Sequence, residues 1–157
     1  DKGTHEAVQI ARQFGMKLYI AGIIQDKSYY NTMVAPYIDN ENIIYLGSVG
    51  PEKRDELLGG AFALLHPIYF NEPFGLSIVE SMACGTPVIA FNKGSMPEII
   101  KHGVTGFLVS NVEEACNKLA EIPDLNRKAC REWVEKYFSQ ARMVEDYISL
   151  YQRICQK

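Results

Sequence analysis

Short apolar segments alternate with amphipathic segments along most of this chain of 157 residues. Five of the apolar segments have the length and the β-branched or aromatic content of buried strands. We predict strands at residues 17–23, 42–47, 61–66, 88–91 and 106–109, and helices at 4–15, 28–38, 51–59, 75–83, 96–101, 112–122, 126–137 and 140–155. Strands that are apolar throughout and joined by helices form a parallel sheet covered on both faces. The sequence therefore predicts an α/β fold with a doubly wound parallel sheet, whose ligands bind at the carboxyl ends of the strands.

The composition is that of one globular domain, and we take residues 1–157 as a single domain because no linker or repeat divides them. The net charge of -3, without any block of lysine and arginine, argues against a nucleic-acid surface. No apolar run approaches the roughly 18 residues that cross a membrane. The four scattered cysteines form no C-x-x-C pair, which favours a reduced, cytoplasmic protein.

The segment from Glu72 to Glu80 is the most informative motif of the chain. It follows a predicted strand that ends at His66, and it places a Pro-Phe-Gly turn before a helix that begins near Gly75. Backbone N–H groups and the positive end of the helix dipole at such a junction hold phosphate groups. The carboxylates on either side are free to accept hydrogen bonds from hydroxyls. A phosphate flanked by a polyol is the outline of a nucleotide sugar.

Each of these residues also has a plainer explanation. Glu80 alone would be an ordinary exposed helix residue, and Glu72 alone would be an acid that offsets the helix dipole. His66 alone is more often a structural residue than a ligand-binding one. The His, Cys, Asp and Glu residues show no metal-ligand spacing, and no Asp-x-Asp pair occurs, so we expect a site that uses no metal and no cofactor. The chain also lacks G-x-G-x-x-G, P-loop and G-x-S-x-G motifs, which argues against dinucleotide, NTPase and α/β-hydrolase sites.

The ordered set of motifs resembles one known family. Residues 72–80 match the E-x7-E motif of retaining glycosyltransferases with the GT-B fold, most closely glycosyltransferase family 4. Blocks similar to that family's occur in the family's order at residues 42–49, 81–90, 94–99, 102–109 and 138–151. The resemblance covers nearly the whole chain. It implies that the chain is similar to the C-terminal, donor-binding domain of such an enzyme, which is a Rossmann-like half of the GT-B fold.

The resemblance also implies roles for individual residues. Glu72 would contact the hydroxyls of the donor sugar, and Glu80 would hold the ribose hydroxyls of the nucleotide. Lys2 is similar to the lysine of the family's phosphate clamp, so Glu72 and Lys2 are the expected catalytic residues. The expected substrate-binding residues, which include the backbone around the distal phosphate and the residues beside the base, are Gly47, Val49, His66, Phe74, Gly75, Leu76, Ser77 and Glu80.

The activity implied by the resemblance is retaining transfer of a hexosyl group from a nucleoside diphosphate sugar to an acceptor. We expect UDP-glucose as the donor, with GDP-mannose second, and an N-terminal acceptor domain as the partner. Without that domain we expect weak donor binding and no turnover, and any membrane contact would depend on it. Two alternatives stay open from the sequence. One is a nucleotide-sugar epimerase of the same fold, and the other is a nucleotide-binding module without catalysis.

Two parts of the family's pattern have no counterpart in residues 1–157. One is the arginine of the phosphate clamp, and the other is the strand that precedes Lys2 at the centre of the family's sheet. Without that strand, two internal edges of the sheet would lack partners, which is costly. We therefore expect either that the chain is cut from a longer protein or that another segment fills the gap. The last predicted helix carries an apolar stripe that we expect to be mainly a packing face, formed by Met143, Tyr147, Leu150, Tyr151 and Ile154. The resemblance implies that this helix reaches back toward the other domain, so we expect part of the stripe to be exposed in residues 1–157.

Overall fold

A computed structural model describes residues 2–156 of the protein. The strands are β1 (Leu18–Ala21), β2 (Ile43–Gly47), β3 (Leu64–His66), β4 (Val88–Phe91) and β5 (Gly106–Val109). The helices are α1 (Thr4–Phe14), α2 (Lys27–Tyr29), α3 (Pro51–Gly60), α4 (Leu76–Ala83), α5 (Met96–Ile99), α6 (Val112–Leu119), α7 (Arg127–Tyr137) and α8 (Gln140–Cys155). Parallel strands with helices on both sides confirm the predicted α/β class.

The five strands form two hydrogen-bonded parallel sheets. In the first, β1 pairs with β2, and Leu18 lies opposite Ile43. In the second, β4 lies between β3 and β5, so that Ile89 is opposite both Leu65 and Phe107. Within residues 2–156, no strand pairs with the second edge of β1 or of β3. The outer edges of β2 and β5 also have no strand partner in this range, and no other segment of residues 2–156 links the two sheets by strand pairing.

The centre of the core is β4, whose four residues are all buried. Successive side chains of a strand point to opposite faces, so β4 supplies both halves of the core. Val88 and Ala90 pack with α4, α5 and α7 on one face. Ile89 and Phe91 pack with α1 and α6 on the other face. Coverage of both faces explains why these strands are apolar throughout rather than alternating.

Helix α1 joins the two sheets. Its residues Val8 and Ala11 pack with Ile43 of β2 in a third cluster. Ile10, on the adjacent part of the same stripe, packs with Phe91 in the core of the three-stranded sheet. The spacing of these residues places them on one broad helical face, which is why a single helix contacts both sheets.

The segments predicted as helices at 28–38 and 112–122 are less regular than expected. The segment predicted at 28–38 is a short α-helix followed by a π-helical turn at Tyr30–Val34 and a 3-10 turn at Ala35–Tyr37. Pro36 lacks an N–H and cannot continue the α-helical hydrogen bonds. The segment predicted at 112–122 ends its α-helix at Leu119, and a 3-10 turn at Ile122–Asp124 contains the next proline.

The stripe on α8 is exposed along its whole length in the described residues, where only part of it was expected to be exposed. No residue of α8 is buried, and the side chains of Met143 and Tyr147 are each 53% exposed. Instead, α8 borders an open groove of about 680 Å³ whose apolar wall it shares with Phe74 and Leu76. The stripe is therefore an exposed surface of the described residues.

Candidate functional site

The first turn of α4 lies at the carboxyl edge of the three-stranded sheet, directly after the loop that follows β3. Gly75 precedes the helix with a φ of 92°, and a Cβ there would lie 3.0 Å from Ile78 Cδ1, so glycine suits this position. The N–H groups of Gly75, Leu76 and Ser77 have no hydrogen-bond acceptor within residues 2–156. This turn therefore presents unsatisfied donors at the positive end of a helix dipole.

The loop before α4 is anchored by Ser95, which immediately precedes α5. The Ser95 N–H donates to the carbonyl oxygen of Glu72 at 3.0 Å. The Ser95 hydroxyl lies 2.9 Å from that oxygen and 2.8 Å from the carbonyl oxygen of Phe74. At Gly94, where φ is 54°, a Cβ would lie 2.5 Å from both the nitrogen and the carbonyl oxygen of Glu72. Close main-chain packing thus fixes the position of Glu72.

The carboxylate of Glu72 pairs with the ammonium of Lys2. The Lys2 Nζ lies 2.7 Å from Glu72 Oε2, and the side chains are 59% and 16% exposed. The same Nζ lies 4.7 Å from the centre of the Phe70 ring. Gly3, with a φ of 68°, packs so closely on Pro67 that a Cβ would lie 1.9 Å from the Pro67 carbonyl oxygen. This close approach holds Gly3 against the loop that follows β3 and places Lys2 beside Glu72.

His66 ends β3 beneath this pair and is 9% exposed. Its Nε2 atom is buried and has no hydrogen-bond partner within the described residues. Burial, and then the charge of Lys2, lower the pKa of His66 to about 4, while the charge of Glu72 opposes the shift. The imidazole is therefore neutral near pH 7. A buried polar atom without a partner costs stability unless a ligand or water satisfies it.

The second acid, Glu80, pairs with a cation from another helix. Arg54 of α3 donates from Nη1 to Glu80 Oε1 at 2.8 Å. Its Nε and Nη2 donate to Asp55 Oδ1 at 3.1 and 3.0 Å. Glu80 Oε2 has no hydrogen-bond partner within residues 2–156. One oxygen of this carboxylate is held by the protein, and the other stays available to a ligand.

The remaining candidate residues are Gly47, Val49 and Phe74. Gly47 ends β2 with a φ of 69°, and its carbonyl oxygen accepts from the N–H of Gly22 at 2.8 Å. Val49 is half-buried in the turn that leads to α3. Phe74 is 42% exposed, and its ring packs edge-on against Phe138 with centroids 6.1 Å apart.

The structure thus brings Lys2, His66 and Glu72 into one cluster and ties Glu80 to α3. Sequence reasoning singled out neither Arg54 nor Ser95, whose partners lie 26 and 23 positions away. One signal for Arg54 was present, because a cation in the first turn of a helix is unfavourable unless it has an anionic partner.

Residues 2–156 contain no group of three or more His, Cys, Asp and Glu side chains that could hold a metal ion. None of the helices in this range has the length and apolar character needed to cross a membrane.

Comparison with known proteins adds independent information about the chain. Residues 1–139 match the family model "Glycosyl transferases group 1". The chain is 34% identical over 158 aligned residues to an uncharacterized 41.2 kDa protein in the cps region of Klebsiella pneumoniae, covering 96% of this chain and 42% of that protein. It is 33% identical over 116 residues to alpha-maltose-1-phosphate synthase of Mycolicibacterium smegmatis, covering 65% of this chain and 30% of that protein.

Solved structures resemble the whole described fold. AviGT4, a glycosyltransferase involved in avilamycin A biosynthesis, superimposes with a TM-score of 0.84 at 26% identity, covering 98% of this chain and 48% of that one. HepE of Anabaena, solved in complex with UDP-glucose, gives a TM-score of 0.69 at 23% identity, covering 99% and 44%. The chain spans less than half the length of these relatives.

Proposed function

The chain belongs to the glycosyl transferases group 1 family, and from this premise we propose that it is the donor-binding domain of a retaining hexosyltransferase similar to glycosyltransferase family 4. One observation carries the proposal. The unsatisfied N–H groups at the start of α4 lie between two carboxylates in the sequence, Glu72 and Glu80, and each carboxylate is already paired with one cation. Such an arrangement suits a ligand with a diphosphate between two polyols.

In this proposal, a nucleoside diphosphate sugar lies along the carboxyl edge of the sheet. The N–H groups of Gly75, Leu76 and Ser77 bind the distal phosphate. Glu72 accepts hydrogen bonds from the sugar, and Glu80 accepts them from the ribose. Gly47 and Val49 would lie beside the base, and Phe74 would form a wall of the site. The buried Nε2 of His66 would form a hydrogen bond with an oxygen atom of the nucleotide sugar.

Lys2 would exchange partners when the donor binds. Its pair with Glu72 is largely exposed on the lysine side, and exposed ion pairs contribute little stability. The diphosphate would therefore draw the ammonium away from Glu72 at small cost, which leaves the Glu72 carboxylate to the sugar hydroxyls. The same ammonium would then offset the charge that develops on the leaving diphosphate.

The proposed reaction retains the anomeric configuration. The bond between the sugar C1 and the diphosphate oxygen breaks, and the acceptor oxygen bonds to C1 on the same face. A diphosphate oxygen takes the acceptor's proton. No step of this scheme uses a metal, and charge stabilisation falls to Lys2 and the α4 N–H groups. An acceptor-binding domain is the proposed partner, and residues 1–157 alone would bind donor weakly and transfer nothing.

We propose UDP-glucose as the first donor to test and GDP-mannose as the second. The complex of HepE with UDP-glucose supports this order. We also propose a cytoplasmic location, supported by four cysteines that are all free thiols.

The test is hydrolysis of each donor by the native, full-length polypeptide, with water as the acceptor and NMR as the readout. UDP-α-glucose should release UDP and, before mutarotation, α-glucose. Release of β-glucose would contradict retention. A donor converted to its epimer would indicate the epimerase alternative, whereas nucleotide binding without any turnover would indicate a non-catalytic module. Sugar transfer by residues 1–157 alone would contradict the proposed need for a second domain.

A further inference from the structure

Arg54 is the surface arginine near the candidate site that uses the most of its guanidinium nitrogens in hydrogen bonds. All three of its guanidinium nitrogens donate to carboxylates, with Nη1 on Glu80 and both Nε and Nη2 on Asp55. The side chain is 39% exposed, and that of Glu80 is 35% exposed. A planar guanidinium held at three nitrogens has little rotational freedom, so it defines the orientation of the Glu80 carboxylate.

The place of Arg54 in its helix supports a role beyond local charge pairing. It lies in the first turn of α3, where the helix dipole disfavours a cation. The neighbouring Lys53 occupies the same turn and pairs only within α3, with Glu56 at 2.9 Å. Arg54 instead reaches across to α4, 26 positions along the chain. The contact therefore couples α3, which follows the Gly47–Val49 segment, to the acid of α4.

The pairing with Arg54 uses only one of the two carboxylate oxygens of Glu80. Arg54 holds Oε1 at 2.8 Å, and Oε2 has no hydrogen-bond partner within residues 2–156. A carboxylate on an exposed helix face would otherwise sample several rotamers. Held by one oxygen, it presents the other in a fixed direction, which is the requirement for recognising a ribose hydroxyl.

We propose that Arg54 is a positioning residue that orients Glu80 for recognition of the ribose of the donor. The inference rests on the proposed function, because it takes Glu80 as the ribose-binding acid. Arg54 acts through Glu80, and Asp55 acts in turn by holding Arg54. The consequence is that discrimination between ribonucleotides and deoxyribonucleotides depends on a residue of α3.

The experiment measures this discrimination directly. Calorimetry with the native, full-length polypeptide gives the Kd of UDP, GDP and ADP and of their 2′-deoxy and 3′-deoxy counterparts. The variants are Arg54→Ala, Arg54→Lys, Asp55→Ala and Glu80→Ala, with Lys53→Ala as the matched control on the same helix turn. Thermal unfolding of each variant establishes that it is folded before its affinities are compared.

For the nucleotide that binds, the Kd of at least one deoxy form should exceed the Kd of the ribo form by about tenfold or more in the wild type. This ratio of the two Kd values corresponds to one hydrogen bond to a charged group. Arg54→Ala should reduce the ratio to less than about threefold, as should Glu80→Ala. Arg54→Lys and Asp55→Ala should give intermediate ratios, and Lys53→Ala should match the wild type. A merely structural role for Arg54 would lower stability without changing the ratio.

The outcomes separate the two proposals. If the wild type discriminates and the Arg54 and Asp55 variants retain its full ratio, the positioning role is overturned while the proposed function stands. If the wild type binds none of the three diphosphates, the proposed function fails, and this inference fails with it. Since Asp55 is exposed, the Asp55→Ala variant keeps the test decisive even if an Arg54 variant does not fold.

Discussion

At Glu72, contacts of the main chain fix where the carboxylate stands. Ser95 bonds the Glu72 carbonyl oxygen, and the backbone of Gly94 approaches so closely that a Cβ would overlap it. The side chain of Glu72 is thus carried by a rigid loop before any ligand binds. A site prepared in this way loses less conformational entropy on binding than a mobile loop does.

We predict that Gly94→Ala destabilises the protein by about 3 kcal/mol or more. The new methyl group would lie 2.5 Å from the backbone of Glu72, and overpacking adds to the cost of a left-handed residue. Gly103→Ala is the control, because Gly103 also has a positive φ, of 74°, but open space around it. It should cost only about 1 kcal/mol. Urea unfolding measures both values, and equal losses would contradict the role of the close approach.

His66 gives the protein a specific dependence on pH. Its pKa is lowered to about 4 in the folded state, so between pH 6.5 and 4 the unfolded chain binds a proton that the folded chain does not. The contribution of His66 to stability is therefore complete above about pH 6.5 and is lost as the pH falls. One pKa unit corresponds to about 1.4 kcal/mol, so the loss by pH 4 is on the order of 3 kcal/mol.

His66→Leu should remove this dependence. The difference between the unfolding free energies of the wild type and the variant should shift by roughly 3 kcal/mol between pH 7 and pH 4, in favour of the variant at low pH. Denaturant titrations at several pH values measure it. Parallel stability curves for the two proteins would show that His66 titrates normally in the folded state.

The residues that form the site were predictable to different degrees. Glu72, Gly75 and Glu80 lie in one contiguous motif, so local sequence was enough to single them out. Arg54 and Ser95 act on that motif from positions more than 20 residues away. Their contribution depends on how α3 and α5 pack against the loop and α4, which no local pattern encodes.

Among the elements, β4 and β1 differ most in how they are supported. β4 is bonded on both sides and buried on both faces. β1 is bonded only to β2 within the described residues, and Tyr19 of β1 is 52% exposed. Local opening requires less free energy where fewer hydrogen bonds and apolar contacts must break.

We predict that residues 1–157, studied alone, exchange the amide hydrogens of β1 and β2 at least about tenfold faster than those of β4. A tenfold difference corresponds to about 1.4 kcal/mol of local stability. Hydrogen exchange followed by NMR measures it strand by strand. Protection of β1 equal to that of β4 would mean that the two sheets open as one cooperative unit.

The pattern of elements was predicted well where hydrophobic periodicity dominates. The strands β4 and β5 match their predicted bounds, because an apolar run between turn residues has few alternatives. The segment after β1 was predicted less well, since its helical periodicity is interrupted by Pro36. The exposure of the stripe on α8 was expected only in part, and only from the family resemblance, because periodicity identifies an apolar face and not what covers it.

At the scale of the whole molecule, the candidate site lies along a single edge of the fold. The carboxyl ends of the strands, the start of α4 and the two acid–cation pairs all belong to this edge. The net charge of -3 gives the protein no general attraction for an anionic ligand. The proposed recognition of a diphosphate would therefore come from local groups, which are Lys2 and the α4 N–H groups.

Calorimetric titration of the native, full-length polypeptide with UDP-, GDP- and ADP-sugars tests most directly whether this edge is the donor site. We predict binding of one nucleotide class, weakened by about 10- to 100-fold in Glu80→Ala, as expected for lost hydrogen bonds to a charged group. Glu56→Ala, which removes an exposed acid of α3 that within residues 2–156 pairs only with Lys53, should bind like the wild type. Absence of binding to every donor, or equal affinity in the wild type and Glu80→Ala, would contradict the assignment of this edge as the donor site.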